Sequence, residues 1–367
     1  MKAIQKEDVI HLDFLNIGSS CNLNCRQCFF QEEGKLSKRT LQSDEENVQW
    51  LSREFENAGY FMYPMEITTS MNTVPIMSEV ARQKVVLSNG ILLNEQYIQT
   101  LLDGGVERIK ITLFANYEEH NFFNRITREQ YNMIMHNIKL CKRAGLTVIV
   151  NTILSKVTKN SIDALAKKCS LLGVDRLVLI RLKPVGNARS MKDIWLDLYD
   201  AKEIVKTVER CKLMYPNLYF SYNLSFGPDF YGKTIAEAKE KMQRRAEKWN
   251  NPKYLCPAID GQYAGVSLRS GNVYGCFFAM DEEIFRLGTV NFEDKTISNL
   301  NSVLDSEELS KKLRDDCHVD NCKYHSICLG GCRSTAYIFA KNTGIVDPLF
   351  AGMDICITKI KERMAGE

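Results

Sequence analysis

The chain has 367 residues, 45% of them hydrophobic and 25% charged, which is enough apolar sequence for one large α/β domain and a smaller second one. Its 48 basic and 45 acidic residues give a formal net charge of +3, so no overall field favours nucleic acid or an anionic membrane as a partner. No apolar run approaches the ~20 residues that cross a bilayer, and the N-terminus lacks the apolar stretch of a secretory signal. These features predict a cytoplasmic protein.

Seven apolar, β-like segments alternate with helical patterns up to about residue 222, which predicts βαβ units around a parallel sheet that forms a complete or partial barrel. The predicted strands are residues 12–17, 62–67, 84–87, 108–113, 147–154, 176–181 and 218–222. The clearest predicted helices are residues 94–102, 131–144 and 161–172.

The pattern changes after the barrel. Residues 234–249 are charged and helix-favouring, and we interpret them as a bridging helix. A hairpin follows, with strands at 263–268 and 273–278, and then a loop-rich region with many cysteines. We therefore predict three regions: a barrel at 1–230, a bridging helix at 231–253 and a small domain at 254–367.

The chain has thirteen cysteines, and in a reducing compartment grouped cysteines indicate metal ligands rather than disulfides. Cys21, Cys25 and Cys28 directly follow the first predicted strand with the spacing C-x3-C-x2-C. Three thiolates bind three irons of a cubane cluster and leave the fourth iron for an exogenous ligand. A zinc knuckle or a group of buried free cysteines is the alternative.

A second group of cysteines occupies the last hundred or so residues. Seven soft ligands are too many for one zinc site, and cuboidal iron-sulfur clusters use four thiolates each, so two clusters are indicated. The members are Cys256, Cys276, Cys317, Cys322, Cys328, Cys332 and Cys356. Cys141, Cys169 and Cys211 stand alone in predicted helices or at their ends and are predicted to be inert core residues.

The N-terminal triad resembles the signature of the radical S-adenosylmethionine (SAM) superfamily, whose cysteine loop follows the first strand of a partial (β/α)6, TIM-like barrel. Gln27 departs from the aromatic residue that the family more often has before the last cysteine. The C-terminal group resembles the SPASM pattern of auxiliary clusters, including Gly271 before the second cysteine, although Cys317 and Cys322 are separated by four residues where two are usual.

This resemblance implies a set of ligands. Cys21, Cys25 and Cys28 would hold the SAM-binding 4Fe-4S cluster. An outer auxiliary 4Fe-4S cluster would use Cys317, Cys322, Cys328 and Cys356, and an inner one Cys256, Cys276 and Cys332. The inner cluster would lack a fourth cysteine, because the matching position is Gln262.

The resemblance also implies SAM contacts at the ends of the barrel strands. Glu66 matches the last residue of the family's Gly-Gly-Glu motif, whose glycines are replaced here by Pro64 and Met65. Further matches are Ser88 and Asn89 in a turn, Thr112 in a strand, and Asn151 and Arg181 at strand ends. For these further matches a purely structural role is equally compatible with the sequence, because polar residues at strand ends often only satisfy backbone groups.

The implied activity is reductive cleavage of SAM to a 5'-deoxyadenosyl radical, which abstracts a hydrogen atom from the substrate, with electrons from a flavodoxin- or ferredoxin-like donor. Oxidative modification of a peptide or protein is the first expectation. Oxidation or epimerisation of a small molecule such as a sugar or an aminocyclitol is the second. Sulfatase maturation is less expected, because Phe277 stands where those members have an aspartate base. No catalytic side chain is assigned.

A different class of function is also open at this point. A non-catalytic iron-sulfur electron carrier or a zinc-stabilised binding module would use the same cysteines. The barrel-plus-triad arrangement favours an enzyme.

Overall fold

The computed structural model describes residues 2–17, 21–29, 41–80, 84–183, 185–196, 198–223, 261–280 and 282–302, with isolated positions at 236, 240, 334, 337, 338 and 341. Among the second group of cysteines, only Cys276 lies within these residues. The predicted bridging helix lies outside them except for residues 236 and 240, which are helical. None of the helices in the described ranges combines the length and apolarity that a membrane crossing requires.

The seven strands predicted for the barrel are all present, and so are the two predicted hairpin strands, the second of which ends earlier than predicted, at Tyr274. The described residues also contain an N-terminal strand and three further C-terminal strands. In chain order the strands are β1 (Lys2–Ile4), β2 (His11–Leu15), β3 (Gly59–Tyr63), β4 (Val85–Ser88), β5 (Arg108–Thr112), β6 (Thr147–Leu154), β7 (Arg176–Arg181), β8 (Tyr219–Asn223), β9 (Tyr263–Ser267), β10 (Asn272–Tyr274), β11 (Arg286–Asn291), β12 (Thr296–Ile297) and β13 (Leu300–Ser302).

The helices lie between these strands. They are α1 (Leu41–Glu54), α2 (Val74–Val80), α3 (Glu95–Asp103), α4 (Tyr117–Asn124), α5 (Arg128–Arg143), α6 (Ile162–Leu171) and α7 (Leu198–Met214). Helix α3 begins after Asn94 and helix α5 after Thr127, whose side chains accept hydrogen bonds from Tyr97 N and Gln130 N. These caps explain starts that differ by one to a few residues from the predicted ones.

The barrel strands form two parallel runs. Strands β4 to β8 form a five-stranded parallel sheet in sequence order, and β2 pairs in parallel with β3. Because all these strands run the same way, their carboxyl ends meet at one rim, which we call the barrel mouth; their amino-terminal halves form the barrel floor. This curled α/β sheet with helices between its strands is the predicted TIM-like fold class.

Side chains alternate between two environments along the barrel strands. In β5, Ile109 and Ile111 are fully buried against the helices, whereas Lys110 and Thr112 are half-buried on the opposite, inward face. The helix-facing residues of β2 to β8 belong to one continuous apolar core. That core fixes the barrel and leaves the inward face for polar groups.

The C-terminal hairpin continues the barrel sheet. Strand β9 pairs in parallel with β2 along the whole of both strands, and β10, β11 and β12 follow it in antiparallel order. The turn between β9 and β10 contains Gly271 at φ +73°, where an added Cβ would lie 2.2 Å from Val290 O. Cys276 thus follows, by two residues, a strand of the same sheet as the strand that leads into the N-terminal cysteine loop.

Candidate active site

The three N-terminal cysteines follow β2 directly and lie at the barrel mouth. Each of their side chains is half-buried. Burial raises the pKa of the Cys21 thiol to about 11 and raises that of Cys25 as well, with further contributions from the negative charges of Glu66 and of the other thiols. Three thiolates in such a place require a compensating cation, which iron supplies when it binds.

This donor set fits a 4Fe-4S cluster. In the described part of the chain, no three His, Cys, Asp or Glu side chains converge on one metal ion. The thiolates of a cubane bind different irons and do not need to converge. Cys21, Cys25 and Cys28 would hold the cluster. The cluster would supply the electron that reduces SAM.

Helix α4 holds the middle of the cysteine loop. Arg26 N donates to Phe123 O at 2.8 Å, and Gln27 Nε2 donates to Asn124 Oδ1 at 3.0 Å. Phe123 and Asn124 lie in the last turn of α4, just before Arg125, which has a positive φ of 55°. Gln27, the residue that departs from the family pattern, therefore has a defined structural role.

Two asparagines from other strand ends hold the rest of the loop. Asn89, directly after β4, donates through Nδ2 to Asn22 Oδ1 at 2.7 Å. Asn187, in the 3-10 helix that follows β7, donates through N to Cys28 O at 3.0 Å and through Nδ2 to Cys25 O at 2.9 Å. The cysteine loop is thus fixed from three different βα connections.

Glu66 is buried at the barrel mouth with 1% of its surface exposed. It lies just beyond β3, which ends at Tyr63 because Pro64 has no N–H for the ladder. Its carboxylate accepts hydrogen bonds from Thr68 N at 3.1 Å, Thr68 Oγ1 at 2.8 Å, Ser88 Oγ at 2.7 Å and Asn89 N at 2.6 Å. Burial raises the pKa of this carboxyl, and these four hydrogen bonds oppose that effect.

The hydrogen bonds of Glu66 define its role. They cross-link the turn after β3 to the turn after β4, so the carboxylate shapes the rim. Ser88 also accepts from Gly90 N at 2.9 Å, and Asn89 Oδ1 accepts from Ile91 N at 3.0 Å. These three predicted residues therefore form one network with the cysteine loop.

Thr112 and Asn151 lie side by side on the inward face of β5 and β6, where they are register partners and both half-buried. Arg181, which ends β7, is 7% exposed and lies on the same face of the strand as the buried Leu177 and Leu179, which is the face opposite to that of Thr112 and Asn151. The structure brings Thr112 and Asn151 together but does not place Arg181 with them.

His120 is a buried titratable group behind β5 that the sequence interpretation did not single out. It is fully buried, its Nε2 lies 3.3 Å from Thr112 O, and its Nδ1 has no hydrogen-bond partner among the residues that the structure describes. The contact with a carbonyl requires a proton on Nε2, which therefore donates to Thr112 O. Burial lowers the pKa of His120 to about 4, so it is neutral at physiological pH.

An aromatic cluster connects the cysteine loop to Cys276. Phe29, directly after Cys28, makes an edge-on contact with Phe277 at 4.6 Å between ring centroids, and Phe277 contacts Phe278 in the same way at 5.4 Å. Cys276 and Phe29 both pack on the small apolar cluster around Val185. Cys276 therefore packs on the same apolar cluster as Phe29, the residue that follows Cys28.

Asn187 and the aromatic cluster were missed at the level of sequence. A Gly-Asn pair shortly after the sixth predicted strand was a usable signal, because loops after parallel strands meet at the barrel mouth. Nothing in the sequence alone indicated that this loop contacts the cysteine loop.

Comparison with known proteins agrees with this geometry. Residues 15–169 match the family model described as "Radical SAM superfamily". The chain is 23% identical over 341 residues to a cysteine-type anaerobic sulfatase-maturating enzyme of Clostridium novyi, covering 86% of this chain and 85% of that protein. It is 19% identical over 343 residues to an AdoMet-dependent heme synthase of Nitratidesulfovibrio vulgaris, covering 90% of this chain and 89% of that protein.

Among solved structures, SuiB of Streptococcus suis bound to the precursor peptide SuiA has a similar fold. The TM-score is 0.67 at 15% identity, covering 95% of this chain and 75% of that one.

A parallel α/β barrel with a three-cysteine loop at its mouth defines the class of enzymes that cleave SAM with an iron-sulfur cluster. Residues 15–169 match the radical SAM superfamily, and the predicted resemblance to SPASM-type radical SAM enzymes is confirmed. It is an enzyme, and its cofactors are SAM and 4Fe-4S clusters that include auxiliary ones. The electron-carrier and zinc-module alternatives are set aside.

Proposed function

We propose that this radical SAM enzyme oxidatively modifies a peptide or protein after hydrogen-atom abstraction. The observation that carries the proposal is similarity along 86% of the chain to a sulfatase-maturating enzyme, whose name denotes action on another protein. The fold likeness to SuiB, solved with a precursor peptide bound, supports it.

The chain's own residues position the cofactor and exclude water. When bound, the cluster supplies the electron that cleaves SAM, from which the hydrogen-abstracting radical arises. Glu66 fixes the rim between β3 and β4, and Asn89 holds the cysteine loop against it. Thr112 and Asn151 present polar groups on the inward face, and we assign them to SAM contact. Phe29 and Phe277 close the side that faces Cys276.

Arg181 is kept as a proposed SAM contact although it lies on the other face of its strand. We propose that its long guanidinium side chain extends from the strand end to the rim. Ser88 contributes to SAM binding through Glu66 rather than by direct contact, since its hydroxyl already donates to that carboxylate.

The C-terminal cysteines would hold two auxiliary clusters. Cys276, the described member, packs on the same apolar cluster as Phe29 at the end of the N-terminal cysteine loop, which supports the assignment of the inner cluster to Cys256, Cys276 and Cys332. Such clusters accept the electron that is left when a substrate radical becomes an oxidised product. The domain boundaries at residues 230 and 254, the cytoplasmic location and a flavodoxin- or ferredoxin-like donor stay predictions.

Phe277 separates this chain from the sulfatase-maturating pattern at one position. The residue directly after Cys276 is an aromatic side chain packed on Phe29, where a carboxylate base would be expected for sulfatase maturation. A peptide substrate other than a sulfatase is therefore favoured within the proposal. A small-molecule substrate is the second candidate, and the similarity to a heme synthase over 90% of the chain is the observation that favours it.

The test is isotope transfer. Reconstituted enzyme is reduced with dithionite and incubated with SAM and a library of synthetic peptides built from deuterated amino acids. We expect deuterium in the 5'-deoxyadenosine and a peptide product that has lost two hydrogens. The Cys28→Ala variant is the matched control and should give neither.

A second arm replaces the peptides with a tetrapyrrole. Deuterium-free 5'-deoxyadenosine with every peptide, combined with oxidation of the tetrapyrrole, would reject the peptide proposal in favour of the small-molecule candidate.

A further inference from the structure

The 3-10 helix Gly186–Ser190, which we call the buttress, makes direct contact with the cysteine loop. Asn187 provides two hydrogen bonds to that loop, from its backbone N to Cys28 O and from its Nδ2 to Cys25 O. Both acceptors are carbonyls of residues that would bind iron. The buttress thus fixes the backbone at two of the three ligands.

Gly186 shows how closely the two segments approach. It has a φ of +51°, and an added Cβ would lie 2.4 Å from Cys28 O and 2.7 Å from Phe29 Cα. Real Cβ atoms do not approach backbone atoms so closely, so a larger residue here would displace the cysteine loop.

The buttress is itself anchored. Ser190 Oγ donates to Asn187 O at 3.0 Å, and Trp195 Nε1 donates to Ala188 O at 3.2 Å. These bonds lie within the connection after β7 and keep the short helix in one conformation.

A buried carboxylate joins the buttress to the C-terminal part of the chain. Glu282 has 2% of its side chain exposed, and it accepts from Arg189 Nη2 at 2.7 Å and from Lys341 Nζ at 2.8 Å. Arg189 belongs to the buttress, whereas Glu282 and Lys341 belong to the region with the second group of cysteines. A buried carboxylate with two cationic partners resists displacement, because separation would leave a charge buried without its partner.

We propose that the buttress is a positioning element for the SAM-binding cluster, and that the Arg189–Glu282–Lys341 ion pairs couple it to the C-terminal region. Groups that hold metal ligands in place tune both the stability and the reduction potential of a site. Asn187 and Gly186 act here through Cys25 and Cys28. The proposal does not depend on the identity of the substrate.

The first test removes the side-chain hydrogen bond to Cys25. In Asn187→Ala the backbone N–H to Cys28 remains, so only the Cys25 contact is lost. We expect roughly tenfold faster loss of iron from the SAM-binding cluster to a chelator. The reason is that removing a hydrogen bond that orients a metal ligand typically weakens metal binding by about that factor or more. The kinetic phase of iron loss that belongs to this cluster is identified by its absence in Cys28→Ala. The EPR spectrum of the reduced cluster in Asn187→Ala should differ from that of the wild type, both with SAM and without it.

Asn57→Ala is the matched control, because Asn57 Nδ2 also donates to a backbone carbonyl, that of Glu7, away from the site. Should Asn187→Ala fail to fold, Asn187→Asp keeps the size and removes the donor. Iron loss and EPR spectra that match the wild type in a folded Asn187 variant would overturn the positioning role.

The second test uses Gly186→Ala. Gly173→Ala is its control, since Gly173 also has a positive φ, of +73°, but has nothing within 4 Å of an added Cβ. Both variants carry the backbone strain, and only Gly186→Ala carries the contact with the loop. Equal iron retention in the two variants would contradict the proposal.

The third test addresses the coupling. Glu282→Gln keeps the shape and removes the charge between Arg189 and Lys341. As in Asn187→Ala, we expect faster loss of iron from the SAM-binding cluster. In the double variant of Asn187→Ala and Glu282→Gln, the fold-change in the rate of iron loss should be smaller than the product of the two single fold-changes. Asp200→Asn, which changes a buried carboxylate paired with Lys159 on the outer helices, is the control. An unchanged cluster in Glu282→Gln would show that the buttress acts without the C-terminal region.

Discussion

The mouth and the floor of the barrel both contain a buried carboxylate, and the two differ in what they hold together. At the mouth, Glu66 accepts only from the turns that shape the rim around the cysteine loop. At the floor, Asp13 accepts from Tyr263 Oη at 2.6 Å and lies 2.8 Å from His11 Nε2. The first joins turns to each other, and the second joins the barrel to the C-terminal hairpin.

This difference separates cofactor binding from assembly. Strand β9 lies next to β2, and Tyr263 stacks on His11 with 5.5 Å between ring centroids. Lys110, whose pKa is lowered by burial, lies on the same inward face and interacts with the Asp13 charge. The floor therefore has the polar contacts of a structural joint, whereas the contacts at the mouth converge on the cysteine loop.

The largest effect is expected at the mouth itself. Cys28→Ala should abolish SAM cleavage, because the cluster would lose one of its three thiolates and with it the electron for the reaction. The measurement is 5'-deoxyadenosine after dithionite reduction of the reconstituted variant. The control is Cys141→Ala, a buried cysteine of α5 with no role in the site. A wild-type yield from Cys28→Ala would reject the assignment of this loop.

Glu66→Ala should come next. Its removal leaves the donors of Thr68, Ser88 and Asn89 buried without acceptors, which costs about 3 kcal/mol of unfolding free energy and loosens the rim. We expect the Kd for SAM to rise roughly tenfold or more, as for other residues that orient a metal site.

Isothermal titration under anaerobic conditions measures the SAM affinity of this variant. Glu118→Ala, an exposed carboxylate on α4, is the control. If the variant bound SAM with the affinity of the wild type, Glu66 would have only a structural role.

Much of the barrel was predictable from the sequence because its periodic signals are local. Alternation of apolar strands and amphipathic helices placed all seven strands, and the strands at 147–154 and 176–181 have the predicted bounds. The strand predicted at 62–67 was shifted, since β3 ends at Tyr63. Pro64 marks that end, and its effect on the ladder outweighs the apolar run that follows.

The contacts of the site were less predictable, because they join residues far apart in the chain. The spacing of Cys21, Cys25 and Cys28 identified the chemistry, since those ligands lie on one loop. The bond from Asn187 to Cys25 spans 162 positions, and the bond from Tyr263 to Asp13 spans 250. No local pattern encodes such pairs; they follow from the order in which the strands assemble into the sheets.

Tyr263→Phe tests the floor with a smaller expected effect. Loss of a hydrogen bond to a buried carboxylate costs about 2 kcal/mol, while the ring and its contact with His11 are kept. The free energy of unfolding in denaturant is the measurement, and SAM affinity should stay at the wild-type value. Tyr219→Phe, an exposed tyrosine at the start of β8, is the control. A loss of SAM affinity together with unchanged stability would reverse the roles assigned to the two ends.

The smallest expected effect is a pH dependence of the free energy of unfolding, which arises from His120, buried behind β5. His120 has a pKa of about 4 in the folded chain, against an unfolded value near 6.5, because burial disfavours its charged form. Between these values the unfolded chain binds a proton that the folded chain does not, so stability falls as the pH decreases. From pH 7.5 to pH 5.5 the expected loss from this residue is about 1.4 kcal/mol.

The variant His120→Asn tests this contribution, because asparagine at position 120 does not titrate. Over the same pH interval the free energy of unfolding of the variant should therefore fall by about 1.4 kcal/mol less than that of the wild type. His136→Asn is the control, since His136 lies on α5 outside the buried wall. Parallel pH profiles for the wild type and His120→Asn would show that His120 does not contribute to the pH dependence of stability.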